Sequence, residues 1–452
     1  MTHHCVETIS DVSTKIRKGQ TSSGRVVRDY LDRIQAHNGY YHAFKEVFAD
    51  EALEQALALD AELKEGNWRG PLHGVPLAIK DNLDLAGKNT SGGSMTRRGT
   101  VAADTSPVVA RLIEAGAIIV GKTHMVEFAF GGWGTNTAMG TPRNPLDDKI
   151  FRVPGGSSSG SGVAVAAGLV PAAIGTDTGG SVRIPAAMNG LAGFKPTWGR
   201  FSDEGLVPLS KLLDVIGPLA RDVADCWTIF NAMSGKAQDG KPLMPPAAAD
   251  PSGLRIGVAD LDAFGEASED VRKAYATFQS RLSDAGAKLI PFRLPMTSAE
   301  AVRRSGTIIG FEASTYYGDL ARDQYELMDK GARERIIAAG SISRADFIRQ
   351  IAGRKGEIAA MKERFSEFEC FVFPTTPIVA APLSEITEAA MPLGNFTRVV
   401  NYLDLCALTL PVASDQNGLP ISMQIIGSGG ADNRVFEISA FVEKLVGTRK
   451  RI

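Results

Sequence analysis

Near the start of the chain, Val26, Val27, Tyr30, Leu31 and Ile34 recur at helical spacing behind the polar run Thr21-Ser22-Ser23. Hydroxyls at that place suit a helix cap, and the spacing predicts a helix that buries one face. Ala52 to Leu63 is rich in Ala, Leu and Glu, so residues 1–65 are expected to form a mostly helical segment packed on the core. The pattern then changes to short, nearly continuous apolar runs: Pro76 to Ile79, Ala117 to Val120, Ala172 to Ile174, Leu254 to Val258, Lys288 to Phe292, Cys370 to Phe373 and Ile421 to Ile426. Runs of that length without alternation predict strands buried on both faces. Helical stripes lie between them. Ser106 and Pro107 suit the cap and first position of a helix through Val108 to Ala115, and Val271, Ala274, Tyr275, Phe278 and Leu282 mark another. The alternation predicts an α/β class built around a mixed, largely buried sheet.

Length alone would allow about three domains. No linker separates them, and the segment 235–253, rich in Gly, Pro, Ala and Asp, reads as a long surface loop or insertion. Residues 66–452 are therefore expected to form one unit.

Composition narrows the partners. At 452 residues, 44% hydrophobic and 22% charged, the chain has material for a large core. A net charge of -2 supplies no overall field for nucleic acid or an anionic membrane, so neither is expected as a partner, and a homodimer is left open. The four cysteines show no CxxC spacing and the histidines (3, 4, 37, 42, 73 and 124) all fall in the first third. No zinc site is expected, and a reducing compartment fits best. Met1 to Val12 is too polar for an export signal, and the apolar run Val163 to Gly175, broken by Gly168 and Pro171, is shorter than the ~20 residues of a membrane span. A cytoplasmic location follows as the expectation. The basic end Arg449-Lys450-Arg451 reads as a solvated tail.

The chemistry concentrates in two glycine-rich stretches, Pro154-Gly-Gly-Ser-Ser-Ser-Gly-Ser-Gly162 and Gly175-Thr-Asp-Thr-Gly-Gly-Ser-Val-Arg183. A flexible linker would lead into a new domain, but the first runs straight into the small apolar helix candidate Val163 to Leu169. Polar, glycine-rich loops embedded in core sequence instead mark a place where backbone approaches a ligand. A phosphate-binding loop is disfavoured, because Gly175 to Ser181 has the glycines but lacks the lysine such a loop needs. Gly156 to Gly160 matches the G-x-S-x-G elbow around Ser158, yet no histidine follows His124, as that fold requires. His73 or His124 could serve a triad of another order, but nothing marks either as a base. Lys80 offers a different base. It ends the apolar run Gly74 to Lys80 ahead of Asp81-Asn82, where desolvation would favour the neutral amine; a surface lysine closing a strand is the competing reading.

These residues, taken in order, resemble the amidase signature family of serine amidohydrolases. The likeness runs through Gly74-Val-Pro-Leu-Ala-Ile-Lys-Asp-Asn82, Gly121-Lys-Thr-His-Met-Val-Glu-Phe128, Arg143-Asn-Pro145, Val153 to Gly160, Gly175 to Ala186, Gly193-Phe-Lys-Pro-Thr197 and Gly418 to Gly427, nearly the whole chain. The resemblance implies one large domain whose mixed sheet carries helices on both faces. It also implies a Ser-cisSer-Lys triad of Ser181, Ser157 and Lys80, and an oxyanion hole from the N–H groups of Thr178, Gly179, Gly180 and Ser181. Asp177 and Arg183 would support the nucleophile and could pair with each other, with Ser158 bonded into the same network. No metal or cofactor is implied.

By the same likeness, Phe130, Gly131, Gly132 and Trp133 would line the acyl side of the pocket, with further lining from Ile308 to Tyr317 and from Thr375 to Ile378, Thr376 and Ile378 among them. Their apolar character points to a small, uncharged aryl or alkyl carboxamide, hydrolysed through an acyl-enzyme. Carbamate or ester hydrolysis uses the same tetrahedral intermediate. The amidase component of a tRNA-dependent amidotransferase, its A subunit, is a rival, weakened by His124 where such proteins commonly carry Asn. A non-catalytic binding protein on the fold is another, opposed by the intact Lys80, Ser157 and Ser181. Cys406 reads as a buried apolar thiol.

Overall fold

Ser22 caps the helix Ser23–Tyr41, its hydroxyl accepting from the Arg25 N–H at 3.1 Å, and Val26, Val27, Tyr30, Leu31 and Ile34 are all buried. The computed structural model describes residues 7–235, 246–390 and 392–447. The middle of the expected 235–253 loop, the first six residues and the basic tail lie outside the described residues.

Among the described residues eleven strands form one sheet: β1 (Phe44–Val47), β2 (Pro76–Lys80), β3 (Ile118–Thr123), β4 (Ala172–Asp177), β5 (Ala192–Lys195), β6 (Val215–Ala220), β7 (Arg255–Ala259), β8 (Lys288–Phe292), β9 (Cys370–Pro374), β10 (Cys406–Ser414) and β11 (Pro420–Gly427). Their order is β1-β3-β2-β4-β6-β5-β10-β11-β9-β7-β8, with β2 parallel to β3 and β4, β7 parallel to β8 and β9, and the remaining pairs antiparallel. All seven expected strands are present, and the class is α/β. Residues 7–65 hold the helices Ile9–Arg17, Ser23–Tyr41 and Ala49–Lys64, and also β1, which pairs with β3.

Both faces of the sheet are covered, and alternation along the strands shows how. Leu77, Ile79 and Ile119 join one apolar cluster with the helices Pro107–Glu114, Val223–Met233, Glu269–Asp284 and Asp432–Val446. Ala78, Ile118 and Val120 point the other way, into a cluster with Ser23–Tyr41, Ala49–Lys64 and Ser159–Ala166. A period of two places neighbours on opposite faces, so a strand clad on both sides reads as an unbroken apolar run.

Four strands escaped the sequence reading. β6 and β10 each contain a proline, which argues against a central strand. Pro218 lies opposite Ile174 of β4 where β5, on the other side, pairs only Leu219 and Ala220. Pro411 sits at a register shift between β10 and β11. Each proline thus falls where ladder pairing is interrupted, and the strand survives.

Candidate active site

Lys80 is the last residue of β2, and Thr176 is the penultimate residue of its parallel neighbour β4. The Lys80 side chain is fully buried, with Nζ 2.7 Å from Thr176 Oγ1 and 2.7 Å from Ser157 Oγ. Asn82 Nδ2 donates to the same threonine oxygen at 3.1 Å. Burial pulls the Lys80 pKa down to about 7, and the carboxylates of Asp214 and Asp177 oppose that pull.

Ser157 sits in the turn that opens the helix Ser159–Ala166, and its bond to Gly156 is cis. Close backbone packing holds this turn. The Gly156 N–H donates to Gly132 O at 2.7 Å, Gly155 to Trp133 O at 3.0 Å, and Val126 to Ser157 O at 3.1 Å. A Cβ on Gly134 would stand 2.5 Å from Gly155 O, and Gly134 has a φ of +91°, so glycine is required there on two counts. Ser158 lies on the far side. Its hydroxyl accepts from the Thr176 N–H and donates to Thr176 O, both at 3.2 Å, which pins the end of β4 to the serine turn.

Ser181 follows β4 by four residues and is slightly exposed, with its carbonyl accepting from the Ser158 N–H at 3.2 Å. Asp177 and Arg183 flank it and pair through two contacts of 3.1 Å, both side chains fully buried. Arg183 also donates to Gln424 Oε1 (2.8 Å), Thr397 O (3.1 Å) and Asn401 Oδ1 (2.6 Å), while Asn401 Nδ2 donates to Asp177 Oδ1 at 2.8 Å. Against the cost of burial, this cationic and amide company holds the Asp177 carboxyl well below the usual carboxylate range.

One expected oxyanion donor is already engaged. The Gly180 N–H donates to Asp177 Oδ1 at 2.8 Å, leaving the amides of Thr178, Gly179 and Ser181 as the remaining candidates. Gly180 itself has a φ of +123°, and a Cβ there would lie 2.1 Å from Thr397 Oγ1. The Thr178 hydroxyl donates to Asp214, whose pKa burial raises to about 6 despite the N–H groups of Leu209 and Ser210 on its other oxygen.

A cleft of about 420 Å³, counted out to its solvent mouth, opens over Ser181 and is lined by Phe130, Gly131, Gly132, Thr178 and Gly179. Three other expected wall residues are placed elsewhere. Trp133 is buried with Val153, Met188 and Leu393, and its indole N–H donates to Ala390 O at 2.8 Å. Thr376 turns its hydroxyl onto Ile378 O at 2.9 Å, and Ile378 packs against the Trp133 cluster. Of the run Ile308 to Tyr317, Ile309 reaches the cleft, joined by Leu209 and Arg398, which the sequence did not single out. Thr176 was also missed as a contact of Lys80, although it stands inside the second glycine-rich stretch.

Neither histidine considered as a base bonds to these serines. His73 Nε2 lies 3.0 Å from Leu59 O, and His124 stacks on His42 at 4.3 Å, its pKa held down to about 3 mainly by burial. Among the described residues no group of three or more His, Cys, Asp or Glu side chains is placed to hold a metal ion, and no helix is long and apolar enough to cross a membrane.

The fold and the comparisons make the chain an amidase-type hydrolase. The chain belongs to the amidase signature family: the pattern of that family, described as amidase, matches residues 25–436, and its members act on amide C–N bonds. It is 36% identical to 2-amino-5-chloromuconic acid deaminase of Comamonas testosteroni, over 90% of this chain and 89% of that one. It is 34% identical to the A subunit of the glutamyl-tRNA(Gln) amidotransferase of Symbiobacterium thermophilum, over 94% of both chains. The crystal structure of the native peptide amidase from Stenotrophomonas maltophilia superposes with a TM-score of 0.82 at 29% identity, covering 98% of both chains.

Proposed function

We propose that the chain is a serine amidohydrolase of small carboxamides, with Ser181 as nucleophile, Ser157 as proton relay and Lys80 as base. The supporting observation is the contact of a fully buried Lys80 Nζ with Ser157 Oγ at 2.7 Å. A neutral amine has two N–H bonds and one lone pair, so Lys80 donates to Thr176 Oγ1 and accepts the Ser157 proton. As that proton moves to Lys80, Ser157 takes the proton of Ser181, and the Ser181 oxygen forms a bond to the substrate carbonyl carbon. The oxyanion is met by the amides of Thr178, Gly179 and Ser181, a donor of this kind typically contributing about 2.7–4 kcal/mol. The C–N bond then breaks, the departing amine takes the relayed proton, and water hydrolyses the Ser181 ester by the same relay in reverse.

Esters and carbamates pass through the same tetrahedral intermediate and are alternative substrates of this site. A second reading, the amidase component of a tRNA-dependent amidotransferase, is supported by the relatives of that name that match along nearly the whole chain. The expectation of an uncharged substrate has weaker support, since of the apolar residues it rested on, Phe130 and Ile309 line the cleft and Arg398 stands beside them.

The purified chain, assayed alone on a panel of aryl, alkyl, amino-acid and carbamate substrates, is expected to turn over at least one of them. Ser181→Ala should abolish that turnover with the fold intact, and a fluorophosphonate should label Ser181. Labelling at Ser158 with activity surviving in Ser181→Ala would overturn the assignment. Glutamine hydrolysis that appears only with added partner proteins would select the second reading.

A further inference from the structure

Among the described residues, the cleft over Ser181 has one charged side chain in its lining, Arg398, and no carboxylate. Among the described residues its guanidinium has no hydrogen-bond acceptor and no ion-pair partner. Its position is close to the reacting centre: a Cβ built on Gly179 would lie 3.2 Å from Arg398 Cγ and 3.7 Å from its Nε. Gly179 is one of the remaining oxyanion candidates, so the guanidinium stands next to the amides expected to hold the scissile carbonyl.

A second guanidinium backs the same wall. Arg335 donates to Phe130 O at 2.7 Å and contacts Glu388 at 3.2 Å, yet its Nη2 is buried without an acceptor, 3.0 Å from where a Cβ on Gly131 would be. Burial and this neighbouring charge both depress the Arg398 pKa. A cation left without a counter-charge beside another cation is costly unless an anion completes the site.

We propose that Arg398 receives a carboxylate of the substrate, so that the enzyme acts on a small amide carrying a carboxylate a few bonds from its scissile carbonyl. The planar fork of N–H donors matches a carboxylate bidentately, and the small cleft limits the chain between the two groups to a few atoms. This deepens the serine amidohydrolase reading, on which it rests, and replaces the uncharged substrate expected from the sequence.

Malonate, succinate and glutarate, as product-like probes, are titrated calorimetrically into the wild type, Arg398→Met and Arg398→Lys, and kcat/KM is compared for succinamate and the neutral butyramide. At least one diacid should bind the wild type. Its affinity should fall about 10- to 100-fold in Arg398→Met and return in part with lysine, as expected for a hydrogen-bonded charge. The succinamate-to-butyramide ratio of kcat/KM should fall with it. Among the described residues the Arg398 guanidinium makes no hydrogen bond, so the methionine variant keeps the surrounding contacts, and the lysine variant retains the charge as well. Failure of all three diacids to bind the wild type, or equal binding by wild type and Arg398→Met, would sink the inference. Arg398-dependent diacid binding in a protein whose Ser181→Ala variant still turns over would leave it standing and remove the nucleophile assignment instead.

Discussion

Burial alters the proton chemistry of Lys80, the proposed base, more than its charged neighbours do. An ordinary lysine is protonated at neutral pH and has no lone pair to offer, whereas a pKa pulled down to about 7 makes the neutral amine available there. The sign is definite: as pH falls through that value the amine gains its proton, so kcat/KM should drop on the acid side. Asp214, with a pKa near 6, is coupled to the same limb and its negative charge raises the Lys80 pKa. Asp214→Asn should therefore move the acid limb to lower pH; a shift to higher pH, read from the kcat/KM profile, would contradict the assignment. Lys80→Arg should lose nearly all turnover at every pH, because a guanidinium keeps its proton. Near wild-type kcat in that variant would turn position 80 into a mere electrostatic support. Lys80, Ser157 and Ser181 were marked in the sequence through the family resemblance of their short motifs, and the structure brings Lys80 and Ser157 into contact. Thr176 was not marked, since a threonine at a strand end has many ordinary uses, and Arg398 stands in an apolar stretch with no motif to mark it.

At the level of elements, the proposed site depends on two chain segments in close backbone contact. Between the segment around residues 126–134 and the serine turn 155–157 there is no room for a Cβ on Gly134 or Gly156, and three N–H to carbonyl bonds close the contact. Gly134→Ala should force the two apart, both by its positive φ and by the 2.5 Å approach to Gly155 O. A cost of about 1–3 kcal/mol is expected, with a larger fractional loss of kcat/KM than the melting curve alone would indicate, because Ser157 moves with the turn. Gly39→Ala is the matching control: it lies in the helix Ser23–Tyr41 with open space around it and should leave stability unchanged or raise it slightly. Equal behaviour of the two variants would show that the contact does not position Ser157. The sequence marked the serine turn through its glycines. Of the partner segment it marked Phe130 to Trp133, as a pocket wall; Gly134 went unmarked, since what makes it special is an approach between residues distant along the chain.

Across the whole molecule, the expected strands were those with continuous apolar runs, while β1, β5, β6 and β10 were hidden by shortness, glycine or proline. The unseen strands join the parts: β6, β5 and β10 lie between β4, which leads to the proposed nucleophile, and β11. The Asp177–Arg183 pair spans the same distance, reaching Gln424 on β11 and Asn401 in the helix Arg398–Tyr402. Removing one partner leaves the other charge buried and uncompensated, so Arg183→Met should destabilise the fold by about 3–5 kcal/mol at neutral pH. Its pH dependence follows from linkage. In the wild type the folded-state pKa of Asp177 is depressed, so the stability it contributes is present above the ordinary carboxylate range and is lost only as pH falls below that range. Without Arg183 that pKa rises, and the carboxyl is protonated more readily in the fold. The deficit of Arg183→Met relative to wild type should therefore be larger at pH 8 than at pH 4, as read from urea unfolding at the two values. A deficit that stays constant, or grows toward acid, would mean that Arg183 acts through packing and its amide partners, with its charge on Asp177 contributing nothing measurable.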